Sequence, residues 1–200
     1  MKKEDTIIKQ VKADDLHFDL KNPRLVEFQG LKSEDEILNV LWKNMDIGEL
    51  VMSILASGFF ESEALYVVRE DDKYIVIEGN RRLAAIKAIL HPELVKSGGM
   101  KKFGEISEKF RKSLANAIPV IEMERRQDAW RYIGFKHVNG PAKWDSFAKA
   151  QYIALVHNEY GVALEDIASQ IGDSNKITVR LYQGLMLLKQ ADSMTDFKID

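Results

Sequence analysis

Hydrophobic and polar positions in the first part of the chain predict strands that alternate with helices. Runs of β-branched and aromatic residues predict strands over residues 6–11, 64–69, 73–77 and 118–123. Apolar residues at helical spacing predict helices over residues 33–42, 46–56, 81–90, 104–117 and 127–137. Strands and helices mixed in this way indicate an α/β or α+β fold.

Local features mark where several of these elements begin and turn. Ser33, followed by Glu36, is a capping box, which starts a helix. Glu70-Asp71-Asp72 lies between two predicted strands and favours a hairpin turn. Pro119 has no backbone N–H, so it suits an edge strand or the first position of a strand.

After residue 137 the pattern predicts helices alone. Gly140-Pro141 breaks the chain, and apolar positions then predict helices over residues 146–160, 164–171 and 174–188. A glycine turn and a polar cap separate the last two helices, which is typical of a helix-turn-helix. We therefore divide the chain into a first domain, residues 1–136, and a helical subdomain, residues 137–200.

The start of the last helix has polar side chains that would face a DNA groove in a helix-turn-helix. The candidate DNA-binding residues are Ser174, Asn175, Lys176, Thr178, Arg180 and Gln183. Only Lys176 and Arg180 are basic, and Glu165, Asp166 and Asp173 offset them. The alternative is a helical subdomain with a solvated polar face, because DNA affinity at physiological salt depends on phosphate contacts.

The most informative stretch is a predicted strand, glycine turn and helix over residues 74–90. Arg81 and Arg82 occupy the first turn of this helix, directly after Gly79. A first helical turn has unpaired N–H groups and the positive end of the helix dipole, so acidic residues are favoured there. Two cations at that place are best explained by a bound anion, such as a phosphate held by N–H groups and guanidinium forks. The alternative is that one arginine pairs with Glu78 or another acid while the second is solvated.

Composition limits the classes of function. The 200 residues are 46% hydrophobic and 30% charged, as in ordinary soluble globular proteins. The net charge of −2 means that DNA binding would need a local basic patch. The absence of cysteine excludes disulfides and thiolate metal sites and fits a reducing compartment. The four histidines are far apart in the sequence, so we expect no structural zinc site and assign no metal-ligand residues. We find no targeting sequence and no apolar run of membrane length, and we expect a cytoplasmic protein without membrane contact.

Residues Glu78-Gly79-Asn80-Arg81-Arg82-Leu83-Ala84-Ala85 resemble the second conserved box of the chromosome-partitioning ParB family. That box is usually Gly-Glu-Arg-Arg followed by an aromatic residue and alanines, and Asn80 replaces the family's glutamate. The fold is shared with sulfiredoxin, whose catalytic cysteine falls at the Asn80 position, so a chain without cysteine cannot have sulfiredoxin activity. The resemblance implies an α+β fold, a small mixed sheet with helices, followed by an all-helical helix-turn-helix subdomain.

Two other parts of the chain are placed near the nucleotide by this resemblance. Asn22-Pro23-Arg24 resembles the first ParB box, a loop beside the nucleotide. On these residues alone, a plain turn with an exposed arginine is the simpler explanation. In the family, the segment just before the first strand of the hairpin lines the pocket for the base, so the resemblance makes Glu61, Ser62 and Glu63 pocket candidates.

The third ParB box is matched only by position. His137 and Val138 fall where the family has Glu and Asn, groups that support the metal and the triphosphate in members that hydrolyse nucleotides. Their absence argues against magnesium-assisted hydrolysis. His137 and Asn139 could still contact a phosphate, and the alternative is an interdomain hinge. The full set of candidate nucleotide-binding residues is Glu78, Gly79, Asn80, Arg81, Arg82, Asn22, Arg24, Glu61, Ser62, His137 and Asn139.

Three hypotheses follow. The first is a ParB-like, DNA-associated homodimer in which a nucleoside triphosphate, CTP by resemblance, binds at residues 79–82 and regulates dimer contacts and DNA engagement. Magnesium is a candidate ion for that site. The second is an enzyme, a ParB-like nuclease or an NTPase such as a CTPase, in which Glu78 or Glu61 would serve a metal. The third is a non-catalytic helical adaptor. Both guanidinium groups locked onto carboxylates, with no open cavity beside the turn, would count against the first.

Overall fold

The computed structural model describes residues 7–26, 28, 30–140, 144–173 and 176–194 of the chain. The chain divides into two units, and each is considered by itself. The first comprises Met1–Leu20 and Gly30–Glu124, and the second comprises Lys21–Gln29 and Arg125–Asp200. The domain boundary predicted at residues 136/137 therefore lies inside the second unit.

The described part of the first unit has one mixed sheet. Its five strands are β1 (Ile8–Val11), β2 (Leu16–Phe18), β3 (Leu65–Glu70), β4 (Lys73–Glu78) and β5 (Ile118–Met123). Their order across the sheet is β1-β5-β3-β4-β2. The pairs β1–β5 and β3–β4 are antiparallel, and the pairs β3–β5 and β2–β4 are parallel. The small mixed sheet and the α+β class expected from the sequence are confirmed.

The hairpin between β3 and β4 also matches the prediction. Glu70 pairs with Lys73, and the two residues between them have positive φ angles, 47° at Asp71 and 61° at Asp72. A left-handed pair of this kind matches the right-handed twist of the two strands.

Of the two places expected for Pro119, an edge strand is wrong, because β5 lies between β1 and β3. Pro119 is instead near the start of its strand, as the second residue of β5. Pro119 faces Gln10 of β1, and the pairing of β5 with β3 starts one residue later, at Val120. Pro119 has no N–H to donate, but because it precedes the residues of β5 that pair with β3, no hydrogen bond between β5 and β3 is lost.

The described residues of the first unit form four α-helices: α1 (Glu34–Asn44), α2 (Ile47–Ser57), α3 (Asn80–Leu90) and α4 (Glu108–Asn116). The capping box predicted at Ser33 and Glu36 is present at the start of α1. α4 starts at Glu108 rather than near residue 104, because Ser107 caps it. α3 is the central helix of the unit and contacts α1, α2, α4, β2 and β4. Its fully buried residues are Leu83, Ala84, Ala85, Ile86, Ala88 and Ile89.

The second unit is helical over its described residues. A 3-10 turn (Arg126–Ala129) leads into α5 (Trp130–Gly134) and a π-helical turn (Phe135–Asn139). Then follow α6 (Ser146–Asn158), α7 (Leu164–Gln170) and α8 (Ile177–Met194). The Tyr152 hydroxyl of α6 donates to the carbonyl oxygen of Trp130 (2.9 Å), which ties α5 to the helices after it. This packing explains why residues 125–136 belong with the second unit. Within the described ranges, no helix is both long and apolar enough to cross a membrane.

Candidate functional site

The turn between β4 and α3 requires glycine for two reasons. Gly79 has a φ angle of 103°, in the left-handed region that favours glycine. An added Cβ would also lie 2.5 Å from Cδ2 of Leu65 and 3.0 Å from Nη2 of Arg82. Backbone conformation and packing are therefore enough to explain this glycine.

The start of α3 differs from most helix starts in having no cap and no acid. No side chain caps the helix, and its first turn contains no acidic residue. The N–H of Leu83 makes the bond to the carbonyl oxygen of Gly79, at 2.9 Å. The N–H groups of residues 80–82 precede this bond and have no partner within the helix. These N–H groups and two arginines give the start of α3 a positive character.

Asn80 is a structural residue of this turn. Its side chain is buried, with Oδ1 accepting from the N–H of Asp19 (3.2 Å) and Nδ2 donating to the carbonyl oxygen of Val76 (2.7 Å). The amide thereby joins the end of β2 to β4. Both polar atoms of the Asn80 side chain are already hydrogen-bonded within the protein. Only the backbone N–H of Asn80 therefore remains a candidate to bind a ligand.

Arg82 is held by two glutamates. Its Nη1 donates to Oε2 of Glu63 (2.9 Å) and to the carbonyl oxygen of Glu63, and its Nη2 contacts Oε1 of Glu78 (3.2 Å). The Arg82 side chain is 12% exposed and that of Glu78 is 9% exposed, whereas that of Glu63 is 56% exposed. Glu78 is thus a buried counter-ion, and Glu63 is a surface partner.

Arg81 is held at one position only. Its Nε donates to the carbonyl oxygen of Met45, at the end of α1 (2.8 Å). Among the described residues, its two terminal nitrogens make no hydrogen bond or ion pair. Carboxylates therefore lock the guanidinium group of Arg82, which counts against a polyphosphate site. Among the described residues, no carboxylate locks the guanidinium group of Arg81. Two cavities that described residues line lie elsewhere and include no residue of the turn.

Of the remaining nucleotide candidates in the first unit, Glu61 and Ser62 are exposed on a 3-10 turn (Glu61–Glu63) just before β3. Oε1 of Glu61 accepts a hydrogen bond from Nε2 of Gln10 (3.3 Å). The turn also contains Glu63, the partner of Arg82, so this segment does lie beside the start of α3. Sequence reasoning named the segment but missed that ion pair.

The other nucleotide candidates belong to the second unit. Asn22 is buried, and its Oδ1 accepts from the N–H of Arg24 (3.0 Å), so it stabilises its own turn. His137 is 7% exposed and stacks on Trp144, with 4.5 Å between ring centroids and 11° between planes. A ring buried in an aromatic stack presents little surface to a phosphate. Asn139 ends the same π-helical turn.

The DNA candidates fall into three groups. Lys176, Arg180 and Gln183 are exposed at the start of α8. Thr178 is fully buried, and its N–H donates to Oδ2 of Asp173 (2.6 Å), so its side chain is not on the proposed DNA-facing surface. This corrects the sequence-based assignment of Thr178. Ser174 and Asn175 lie outside the described residues.

A charged cluster that the sequence did not indicate fixes α3 against α1 and β2. Nζ of Lys87 contacts Oε2 of Glu34 (2.8 Å), and Nδ1 of His17 donates to Oε1 of Glu34 (2.6 Å). Burial by itself raises the pKa of the Glu34 carboxyl, but the hydrogen bonds and charges of Lys87 and His17 outweigh it and hold the pKa below its ordinary value. In the described part of the chain, no group of three or more potential metal ligands is found.

Comparison with known proteins gives likenesses in structure only. No protein-family model matches the chain, and no curated protein matches it. Two solved structures of C-terminally truncated chromosome-partitioning protein ParB from Caulobacter crescentus are similar to it. The complex with CTP-gamma-S has a TM-score of 0.38 and 16% identity, over 94% of this chain and 83% of that chain. The complex with the centromeric parS site has a TM-score of 0.45 and 14% identity, over 92% of this chain and 75% of that chain.

Both structures are of ParB, the family that residues 78–85 resemble. With identities and TM-scores this low, neither structure carries an argument about this chain. What the site binds has to be argued from the residues of this chain.

Proposed function

We propose that the chain binds a nucleoside triphosphate at the start of α3 and is a ParB-like, DNA-associated protein. The observation that carries the proposal is the pair of terminal nitrogens of Arg81. They make no hydrogen bond or ion pair with the described residues, and they belong to a helix start that has no side-chain cap. A phosphate oxygen would accept hydrogen bonds from these nitrogens and from the N–H groups of the first turn.

Arg82 has a different role in this proposal. Glu63 and Glu78 fix and neutralise its guanidinium group, so Arg82 supports the turn and is not free to wrap around the ligand. CTP is the first triphosphate to test because residues 78–85 resemble the second ParB box. Ligand binding would then regulate dimer contacts and DNA engagement, and magnesium would accompany the triphosphate.

Calorimetric titration with each of the four nucleoside triphosphates, with and without magnesium, tests the proposal. We expect heat with at least one of them, and Arg81→Gln should weaken binding by about 10-fold to 100-fold, since charge-assisted hydrogen bonds contribute about 1.5–3 kcal/mol. Arg69→Gln is the matched control, because Arg69 is an exposed arginine of the same unit, on β3. Absence of heat and of any thermal shift with all four nucleotides would overturn the proposal.

The start of α8 supports the DNA part of the proposal. Lys176, Arg180 and Gln183 are exposed there, as expected for side chains that reach a groove or a phosphate. The double variant Lys176→Gln/Arg180→Gln should weaken binding to duplex DNA and lower its salt dependence by about two phosphate contacts. Unchanged affinity at low salt would remove α8 from the DNA-binding surface.

A further inference from the structure

Positive charge is concentrated in one segment of the first unit, outside both sites discussed above. Residues 96–112, here called the lysine segment, contain six Lys and Arg residues and two Glu residues, in a chain with a net charge of −2. The rest of the chain is therefore acidic overall. This asymmetry supplies the local basic patch that DNA binding by an acidic protein requires.

The structure fixes the backbone of this segment. Residues Lys96–Phe103 form a 3-10 helix that leads towards α4. Asn39 of α1 anchors its start, accepting from the N–H of Lys96 (2.8 Å) and donating to the carbonyl oxygen of Leu94 (2.9 Å). Gly99 lies against Trp42, since an added Cβ would be 2.5 Å from Nε1 of Trp42. The lysines are therefore carried on an anchored turn, and a ligand would not have to order the backbone.

Four lysines of the segment are exposed, and the ammonium group of one of them, Lys102, lies 5.0 Å from the centroid of the Phe103 ring. Lys96, Lys101, Lys102 and Lys109 are exposed and form no ion pair within the described residues. Among the ion pairs of the described residues, the one inside the segment joins Lys112 to Glu108 at 2.7 Å. Four unneutralised ammonium groups on a short stretch are suited to the evenly spaced charges of a nucleic acid backbone.

We propose that the lysine segment contacts the phosphate backbone of duplex DNA without reading its sequence. Lysine is a compact point charge that binds phosphates without the planar fork by which arginine reads bases. A membrane surface fits less well, because among the described residues none of the exposed large hydrophobic side chains lies between residues 96 and 112. The lysine segment shares no residue with the candidate nucleotide site at the start of α3, so the proposal goes beyond that site and does not require it.

We expect DNA to contact the lysines and not to enter the cavity beside them. That cavity, of about 470 Å³, is lined by Glu105, Ile106, Ser107, Glu108 and Arg111. Two carboxylates in its wall repel phosphate, so we expect the DNA to lie across the lysines preceding it.

Salt-dependent binding to a mixed-sequence duplex of about 30 base pairs, followed by fluorescence anisotropy from about 50 to about 200 mM salt, tests this proposal. The test variant is Lys96→Gln/Lys101→Gln/Lys102→Gln. The control is Lys12→Gln/Lys43→Gln/Lys73→Gln, which removes the same charge from exposed lysines elsewhere in the unit. The slope of log K against log salt should fall by about 2.7 in the test variant, since each lost phosphate contact removes about 0.9, and should not change in the control.

Lys101→Gln alone gives an independent check if the triple variant does not fold, with an expected loss of slope of about 0.9. Equal slopes for test and control variants would overturn the proposal. So would the absence of DNA binding by the unsubstituted chain at low salt, or tighter binding to vesicles of anionic lipid than to DNA. The test variant should still bind triphosphate like the unsubstituted chain, so failure of nucleotide binding and failure of this proposal are separate results.

Discussion

Helices α1 and α3 begin in opposite ways, although both belong to the first unit. Ser33 caps α1, Glu36 returns the hydrogen bond, and the first turn contains three acidic residues. α3 follows a glycine, has no side-chain cap and has Arg81 and Arg82 in its first turn. The first helix start is thus satisfied by its own residues. The second depends on groups supplied by other elements, namely Glu63, Glu78 and the carbonyl oxygen of Met45.

This difference shows where a ligand could act. Adding an anion to the start of α1 would place it beside three carboxylates. At the start of α3 an anion would meet N–H groups and the terminal nitrogens of Arg81. The following predictions test the contrast, beginning with the largest expected effect.

Gly79→Ala should be strongly destabilising. The substitution puts a Cβ 2.5 Å from Leu65 and forces a non-glycine residue to a φ angle of 103°, so we expect a loss of about 2–4 kcal/mol in the free energy of unfolding. Gly58→Ala is the control, because Gly58 has a φ angle of 77° but nothing within 4 Å of an added Cβ. Its loss should be about 1 kcal/mol. Urea denaturation measures both, and equal losses would show that packing around residue 79 is unimportant.

Asn80→Ala should have the next largest effect. It leaves the N–H of Asp19 and the carbonyl oxygen of Val76 without their side-chain partner in a buried place, which costs about 1–3 kcal/mol. Asn44→Ala on α1 is the control, because Asn44 is exposed and donates only to the carbonyl oxygen of Val40. Similar urea midpoints for the two variants would contradict a structural role for Asn80.

The sequence located the start of α3 because all its determinants are local. A β-branched run, a glycine and two arginines follow one another in the chain, and the strand, turn and helix form where this order predicts. The hairpin at Asp71-Asp72 and the capping box at Ser33 were found for the same reason. The resemblance to the second ParB box adds a fold, and the mixed sheet agrees with it.

The partners of the two arginines could not be found in this way. Glu63 is 19 residues from Arg82, and Met45 is 36 residues from Arg81, and only the packing of α1, β3 and α3 brings them together. The position of β5 has the same origin, because Ile8 pairs with Ile121 across most of the first unit. Thr178 was misassigned because the sequence period did not show that α8 buries this position.

A smaller effect is expected from pH, through the first residue of α1. In the folded chain the pKa of the Glu34 carboxyl lies below its ordinary value of 4.5. When the pH falls below 4.5, the unfolded chain therefore binds a proton at Glu34 more readily than the folded chain does. The stabilisation by Glu34 is therefore complete above the unfolded pKa and is lost as the pH falls through the folded pKa. Glu34→Gln should make stability less dependent on pH in this acidic range.

Thermal unfolding at a series of pH values below neutrality measures this dependence. Asp35→Asn is the control, because Asp35 is an exposed acid of the same helix. Identical pH profiles for Glu34→Gln and the unsubstituted chain would show that the contacts of Glu34 with Lys87 and His17 do not link α1 to α3 in solution.

The smallest effect on stability, and the most direct test of the contrast, should come from Glu63→Gln. Glu63 is more than half exposed, so removing its ion pair with Arg82 should change the free energy of unfolding by less than about 1 kcal/mol. The buried Glu78 still neutralises Arg82. Yet the substitution removes one negative charge beside the start of α3, so a triphosphate should bind more tightly.

Glu61→Gln is the control for this prediction. It lies on the same 3-10 turn and removes the same charge from a side chain that contacts Gln10 and not Arg82. Calorimetry should show a larger gain in triphosphate affinity for Glu63→Gln than for Glu61→Gln. A weaker affinity in Glu63→Gln would mean that Glu63 holds Arg82 in the binding geometry and does not compete with the ligand.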